Sequence, residues 1–268
     1  EIMKGRVLII AGSDSGGGAG IQADIKTVTA LGGFAMTAIT ALTAQNTLGV
    51  QSIYEISVDF IRDQIISVLD DIGADVIKIG MMHRPEVIET VVEILSEKAK
   101  MIPVVLDPVM VAKGGTELIE KEAIIALKKN LLPKATLLTP NTPEAELLAG
   151  TEVQTVADIL ESASIMLNEG AKTILMKGGH LKGDELLDVL IQEDGPPEYL
   201  RGSRIKTRNT HGTGCTLASA CAVGLAQGLN LKKAVYRAHN YVRRAIQAAP
   251  GYGSGHGPLN HAHTMKKF

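Results

Sequence analysis

A thiol lies at the start of a small, apolar segment near the end of the chain. The stretch NTHGTGC, from Asn209 to Cys215, leads into TLASACAVGLAQG, which is apolar almost all round. Such a segment predicts a buried helix, and the consecutive backbone N–H groups of NTHGTG at its start would bind a phosphate or the charge that develops on one. The helix field is expected to lower the pKa of the Cys215 thiol, so that the thiolate accepts a proton from an attacking hydroxyl.

Two carboxylates and a lysine follow other apolar segments. Asp107 closes PVVLD, Lys177 ends KTILMK, and Glu144 lies in NTPEAE, where Thr142 would cap a helix and Pro143 would occupy its first helical position. Ligands of open α/β sheets gather beyond the carboxyl ends of the strands, so Asp107 and Glu144 are expected to hold magnesium (Mg²⁺) through water and nucleotide phosphates. For Glu144 alone, a favourable position in the helix dipole explains the residue equally well. Lys177 would be costly to bury unpaired, which favours a phosphate contact.

A second glycine-rich stretch, GSDSGGGAG at residues 12–20, follows the first apolar segment. It lacks the lysine of the Walker pattern, and Ile21 stands where G-x-G-x-x-G requires its last glycine, which weakens a dinucleotide-binding interpretation. So many adjacent glycines carry an entropic cost that a simple turn does not need. A ligand-binding loop is therefore favoured over a flexible strand-to-helix turn.

Short apolar segments alternate with amphipathic ones along most of the chain. RVLIIAG, DVIKIG, PVVLD, ATLLTP and KTILMKG predict strands, and the segments between them have helical spacing. Strands that are apolar throughout, separated by amphipathic helices, indicate a mostly parallel sheet with helices on both faces, an α/β fold. Residues 32–57 and residues 185–207 each predict two extended segments joined by a turn, as antiparallel additions to the sheet.

Composition restricts the class of protein. The 268 residues are 45% hydrophobic, and neither a low-complexity linker nor a solenoid repeat divides them, which predicts a single domain over residues 1–268. The net charge is −2 and the basic residues are scattered, which argues against nucleic acid or an anionic membrane as the main partner. The two cysteines fall in one predicted helix and make a poor disulfide pair, so a cytoplasmic protein with a small-molecule partner is expected.

Several histidines lie near the end of the chain. Residues 249–268 are rich in turn-forming residues and predict a loose or draped tail. Its His256, His261 and His263 lack a helical or strand frame, so metal ligation is not expected. His211, inside the predicted phosphate loop, is expected to point at a nucleotide or at solvent. The glycines of VAKGG, residues 111–115, are typical of a mobile flap or of a static turn.

A series of motifs along nearly the whole chain resembles a known family. AGSDSGGGAGIQADIKT, TAITALTAQNTLGV, IKIGMM, VLDPVM, LTPNTPEAELL, MKGGH, NTHGTGCT and GHGPLNH occur in the order found in the hydroxymethylpyrimidine and phosphomethylpyrimidine kinases of thiamin biosynthesis, within the ribokinase-like superfamily. The resemblance implies a three-layer fold. It also implies an ATP-dependent kinase that phosphorylates 4-amino-5-hydroxymethyl-2-methylpyrimidine and then its monophosphate.

The resemblance implies roles for individual residues. Asp24 and Gln45 would hydrogen-bond the edge of the pyrimidine, and Asp107 and Glu144 would belong to the magnesium and phosphate region. The residues expected to line the ring pocket are Gly12, Ala19, Met81 and Val109. The residues expected at the nucleotide are Asn141, Lys177 and Thr210, with Gly212, Thr213 and Gly214 as the anion hole.

Cys215 stands where most ribokinase-like enzymes have an aspartate base, and this argues against a sugar kinase. Pyridoxal and pyridoxine also carry a hydroxymethyl group on a six-membered nitrogen ring, so a pyridoxal kinase is the alternative function. A nucleotide- or vitamin-binding protein without turnover and a Rossmann oxidoreductase are the alternatives from other classes. By analogy with superfamily members, a homodimer is expected.

Overall fold

A computed structural model describes residues 4–112, 115–179 and 185–265. Two of the residues in the expected flap, 113 and 114, lie outside this described part. Within it, nine strands form one sheet: β1 (Arg6–Asp14), β2 (Phe34–Asn46), β3 (Gly49–Glu55), β4 (Val76–Ile79), β5 (Val104–Leu106), β6 (Leu137–Leu138), β7 (Thr173–Met176), β8 (Glu185–Gln192) and β9 (Glu198–Ser203). The helices are α1 (Gly20–Ala30), α2 (Val58–Asp71), α3 (Pro85–Lys98), α4 (Lys121–Ala126), α5 (Thr142–Ala149), α6 (Val156–Asn168), α7 (Thr213–Ala226) and α8 (Leu231–Gln247).

The sheet has a parallel centre with antiparallel edges. Its strand order is β3-β2-β1-β4-β5-β6-β7-β8-β9. Strands β2, β1, β4, β5, β6 and β7 pair in parallel, whereas β3 joins β2, and β8 and β9 join β7, in antiparallel pairing. The predicted parallel sheet and its two antiparallel additions are confirmed.

Helices cover both faces of the sheet. In β1, Leu8 and Ile10 belong to the core that includes apolar residues of α2, α3 and α6, and Val7 and Ile9 belong to the core beneath α1, α7 and α8. This alternation is the period of two that a strand imposes on its side chains. Three layers result, as the motif series implied.

Helix α7 is the most deeply buried of the described helices. Residues 216–224 are all buried, and the helix lies against α1, α8 and the sheet. Cys221 is completely buried, as expected of a small hydrophobe. In the described part of the chain, no helix combines the length and the apolar character needed to cross a bilayer.

One helix boundary differs from the sequence pattern. The segment ELIEKEAIIALKKNLL, residues 117–132, predicts one helix, but the helix begins only at Lys121, and residues 127–134 continue it as a π-helical turn and a 3-10 turn. Of the two alternatives for the tail, loose or draped, the structure shows the draped one: Leu259 and His261 are buried, and the His261 ring lies 2.9 Å from the Thr216 hydroxyl. The turn-forming residues let the tail bend, and the buried side chains of Leu259 and His261 hold it against the rest of the protein.

Candidate active site

The carboxyl ends of β1, β2, β4, β5, β6 and β7 open into one cavity of about 780 Å³. This is the edge at which an α/β sheet collects its ligands. The predicted site residues that line the cavity are Gly12, Ala19, Gln45, Met81, Asp107, Val109, Asn141, Glu144, Lys177, Thr210, Gly212, Thr213, Gly214 and Cys215. Residues separated by up to two hundred positions in the chain thus share one enclosed volume.

Asp24 does not reach this cavity, contrary to the expectation that it contacts a pyrimidine. Its side chain is fully buried, with both carboxylate oxygens 2.9 Å from Lys78 Nζ. The hydroxyl of Ser219 donates a third hydrogen bond, of 2.7 Å, to Asp24 Oδ1. Burial alone would lower the pKa of Lys78, but Asp24 and the other nearby acidic groups outweigh burial and raise it. The pair is structural in form, and its signal in the sequence is a lysine inside the otherwise apolar strand VIKI.

Asp107, Glu144 and Lys177 form a buried charged cluster on the cavity wall. Lys177 Nζ lies 3.1 Å from Asp107 Oδ1 and 3.9 Å from Glu144 Oε2. The Thr139 hydroxyl donates to Asp107 Oδ1 at 3.1 Å. Burial, together with the charge of Asp107, raises the pKa of Glu144 to about 7 although Lys177 opposes this. Two neighbouring carboxylates on the cavity wall fit a hard divalent cation such as Mg²⁺, which prefers oxygen ligands.

The start of α5 fixes one of these carboxylates. Asn141 is the N-cap: its side chain accepts from the Glu144 backbone N–H at 2.8 Å, and Glu144 Oε2 accepts from the Asn141 backbone N–H at 2.8 Å. The predictions that Thr142 is the cap and Pro143 the first helical residue are each wrong by one position, because the reciprocal capping box of Asn141 and Glu144 satisfies two helix-start N–H groups at once. The box holds Glu144 at the cavity.

The anion loop, residues 209–215, approaches the first glycine loop, residues 12–20, very closely. Gly212 has φ +80° and caps α7. A Cβ on Gly212 would collide with the Gly18 carbonyl oxygen, so only glycine permits this approach. The Thr213 hydroxyl donates to the Thr210 carbonyl at 2.7 Å. The first N–H groups of α7, which have no acceptor within the helix, therefore lie at the cavity wall.

The thiol of Cys215 is half-buried and borders the cavity. Burial raises its pKa to about 12, with Asp24 and Asp107 acting in the same direction, and Lys78 only partly opposes them. The expectation that the helix field lowers this pKa is wrong, because removal from water and two nearby carboxylates outweigh the partial charge of the helix start. Without ligands, Cys215 is a thiol at neutral pH.

His211 and Asp14 form a buried pair that the sequence did not reveal. The His211 ring nitrogen Nε2 lies 2.8 Å from Asp14 Oδ2, and both side chains are almost fully buried. The expectation that His211 points at a nucleotide or at solvent is therefore wrong. Burial alone would raise the pKa of Asp14, but hydrogen bonds from His211, Ala19 and Gly16 outweigh it and lower the pKa.

The three layers, the parallel sheet and the anion loop at the start of a buried helix define a small-molecule kinase of the ribokinase-like class. A solved structure in this class supports the assignment. The pyridoxal kinase of Bacillus subtilis, solved as an ADP complex, matches with a TM-score of 0.90 and 39% identity, over 97% of this chain and 98% of that chain.

The chain belongs to the phosphomethylpyrimidine kinase family, whose sequence model matches residues 14–260. A hydroxymethylpyrimidine/phosphomethylpyrimidine kinase of Streptomyces coelicolor is 48% identical over 260 residues, which are 97% of this chain and 95% of that protein. A bifunctional thiamine biosynthesis protein of Geobacter sulfurreducens is 48% identical over 258 residues. This chain spans 52% of the length of that bifunctional protein. The family resemblance drawn from the motif series is thereby confirmed, and the protein is a kinase.

Proposed function

We propose that the protein transfers the γ-phosphoryl group of ATP to the hydroxymethyl group of 4-amino-5-hydroxymethyl-2-methylpyrimidine, and then a second one to the monophosphate. The diphosphate product serves thiamin synthesis. The observation that carries the proposal is the single cavity, in which a small ring pocket meets an anion loop beside the Cys215 thiol. Family membership supports both the reaction and its order.

The acceptor end of the cavity fits a small, flat ring. Met81 is nearly buried, and its sulfur lies close to Gly12, where a Cβ would be 3.1 Å away. Gln45 Nε2 donates to the Thr43 hydroxyl at 3.1 Å, which leaves the amide oxygen of Gln45 to accept from an amino group. With Val109 on the other side, these residues offer two apolar walls and one polar edge, the combination typical of small-molecule pockets.

The donor end of the cavity fits a nucleotide. Its walls include apolar side chains from β8, from the segment after β9 and from α8, namely Leu186, Ile205, Val242 and Ile246. An apolar slot of this kind accepts a base, and Lys177 and Thr210, the latter in the anion loop, line the same cavity. The ADP bound by the Bacillus subtilis pyridoxal kinase supports ATP as the phosphoryl donor.

Each part of the phosphoryl transfer has residues in the cavity that would carry it out. Asp107 and Glu144 would hold Mg²⁺, which when bound offsets phosphate charge. Lys177 and the N–H groups of Gly214 and Cys215 would stabilise the charge that develops on the transferred group. The thiolate form of Cys215 would accept the hydroxyl proton as the new O–P bond forms and the bond from the transferred phosphoryl group to ADP breaks. Because the raised pKa leaves little thiolate at neutral pH, alignment and charge stabilisation supply most of the rate.

Pyridoxal is the second candidate acceptor, supported by the likeness to the Bacillus subtilis pyridoxal kinase. A homodimer is also proposed, because Leu42, Leu48 and Tyr54 expose apolar surface on the β2–β3 hairpin. The scattered charge and the family's biosynthetic role support a cytoplasmic protein that binds neither nucleic acid nor membrane.

Phosphorus NMR of the purified protein with ATP, Mg²⁺ and the hydroxymethylpyrimidine tests the proposal, with pyridoxal in a parallel tube. The expected result is the monophosphate followed by the diphosphate. Cys215→Ala should retain ADP binding and lose most turnover, and Cys221→Ala, a matched change deeper in the same helix, should retain turnover. Phosphate transfer to pyridoxal alone would contradict the pyrimidine assignment, and equal turnover in both variants would contradict the role of Cys215.

A further inference from the structure

Both oxygens of the Asp14 carboxylate are engaged by groups of the protein itself. Asp14 ends β1 and is almost completely buried. Its Oδ1 accepts from the Gly16 backbone N–H at 2.8 Å, and its Oδ2 accepts from the backbone N–H groups of Gly18 at 3.0 Å and Ala19 at 2.8 Å. The same Oδ2 lies 2.8 Å from His211 Nε2. Although Asp14 borders the cavity, its oxygens are engaged by the protein rather than directed to a ligand.

The partner of this carboxylate belongs to the other loop. His211 precedes Gly212 in the anion loop, and its backbone N–H donates to the Gly257 carbonyl at 3.1 Å. The two loops meet a second time where the Gly18 carbonyl occupies the place of a Cβ on Gly212. One charged side chain thus folds the first glycine loop around itself and holds it against the anion loop.

We infer that Asp14 is a positioning residue that latches the first glycine loop to the anion loop through His211. This inference rests on the proposed function. The first glycine loop contributes Gly12 and Ala19 to the acceptor pocket, and the anion loop contributes Gly214 and Cys215 to the phosphate end. The distance between the acceptor hydroxyl and the transferred phosphoryl group therefore depends on the latch.

Loss of the latch should reduce kcat more than it raises KM, because each half-site stays formed while their alignment is lost. A misplacement of about 1 Å costs roughly a hundredfold in rate. Asp14→Asn retains the size of the side chain but replaces one acceptor oxygen with an NH₂ group that faces N–H donors. His211→Leu removes the link from the other side. We expect kcat to fall about tenfold to a hundredfold in each, with KM changed less than about threefold.

The double variant and a conservative variant separate a latch from two independent roles. If one link is broken by either change, Asp14→Asn combined with His211→Leu should be no slower than the worse single variant. His211→Gln retains a side-chain N–H donor and should recover most of kcat. Asp75→Asn, at the surface pair with Arg6, is the matched control and should match the wild type.

Hydrogen exchange of the protein without substrate gives a readout that does not depend on turnover. Either single variant should accelerate exchange in both loops, residues 12–20 and residues 209–215, because each loop holds the other in place. Acceleration confined to the mutated loop, additive losses of kcat, or an effect on KM alone would overturn the inference. If Asp14→Asn does not fold, the comparison of His211→Leu with His211→Gln carries the same test.

The outcome is distinguishable from failure of the proposed function. A wild-type protein that phosphorylates neither the pyrimidine nor pyridoxal refutes the proposed function, and hydrogen exchange then still decides the latch. A wild-type protein that turns over normally while His211→Leu does the same refutes the latch alone.

Discussion

Replacement of Lys78 by methionine should strongly destabilise the protein, because it leaves the Asp24 carboxylate buried with only the Ser219 hydroxyl as a partner. Both members of the pair are fully buried in the structure. Breaking a buried ion pair by removing one partner costs about 3–5 kcal/mol. The whole free energy of unfolding of a typical domain is about 5–15 kcal/mol, so the loss should be conspicuous.

The loss should depend on pH in a defined direction. In Lys78→Met, burial without a cation raises the pKa of Asp24 above the value of about 3.9 that it has in the unfolded chain. A carboxyl whose pKa is raised by folding binds more protons in the folded state, so stability is present at low pH and is lost as the pH rises through the raised pKa. The deficit of Lys78→Met relative to the wild type should therefore be smaller at pH 5 than at pH 8.

Urea unfolding followed by circular dichroism at these two pH values measures the effect. Lys78→Met combined with Asp24→Asn removes both charges and leaves an acceptor for Ser219, so it should regain most of the loss. A Lys78→Met variant as stable as the wild type at pH 8 would refute the reasoning. An Asp24→Asn variant that raises the KM for the pyrimidine with unchanged stability would instead support the substrate contact implied by the sequence.

Three further outcomes are expected. Gly212→Ala should lower kcat at least about tenfold, because a side chain at φ +80° would push the Gly18 carbonyl away. Coupled ADP release measures this kcat, and a normal value would show that the close approach of the two loops is dispensable. Burial lowers the pKa of His261 to about 4, so the free energy of unfolding, measured by urea titration, should fall by about 2 kcal/mol between pH 7.5 and pH 5. His261→Gln should reduce that fall, and an equal fall in the variant and the wild type would contradict the reasoning. Lys177→Met should lower kcat/KM for ATP at least about tenfold in steady-state assays, since the charged cluster loses its cation; an unchanged value would remove Lys177 from the phosphate site.

Much of the site was predictable because strands and helices follow from local patterns. A continuous apolar run such as VLII predicts a strand buried on both faces, and parallel strands bring the residues after them to one edge. Asp107 and Lys177 are identified in this way, and both line the cavity. The apolar segment after the glycines of residues 209–215 predicts a buried helix, which the structure shows as α7, with its first residues on the cavity wall.

The wrong expectations for Asp24, His211 and Cys215 share a cause, which is that the partners of these side chains are distant in the chain. The family resemblance implies a substrate contact for Asp24, yet in the structure its partner is Lys78, 54 residues away. His211 finds Asp14 across 197 residues. The thiol of Cys215 has a raised rather than a lowered pKa because the surrounding burial and charge come from other elements.

The sequence by itself determined the element order, the three-layer α/β class, the family and the residues that gather at the carboxyl edge of the sheet. These depend on periodicity and on motif order, both of which are local properties of the chain. Only the tertiary structure decided which charges pair, how the two glycine loops meet and in which protonation state the Cys215 thiol exists. Those depend on desolvation and on distances of a few ångströms between distant residues, and such distances exist only once the chain has folded.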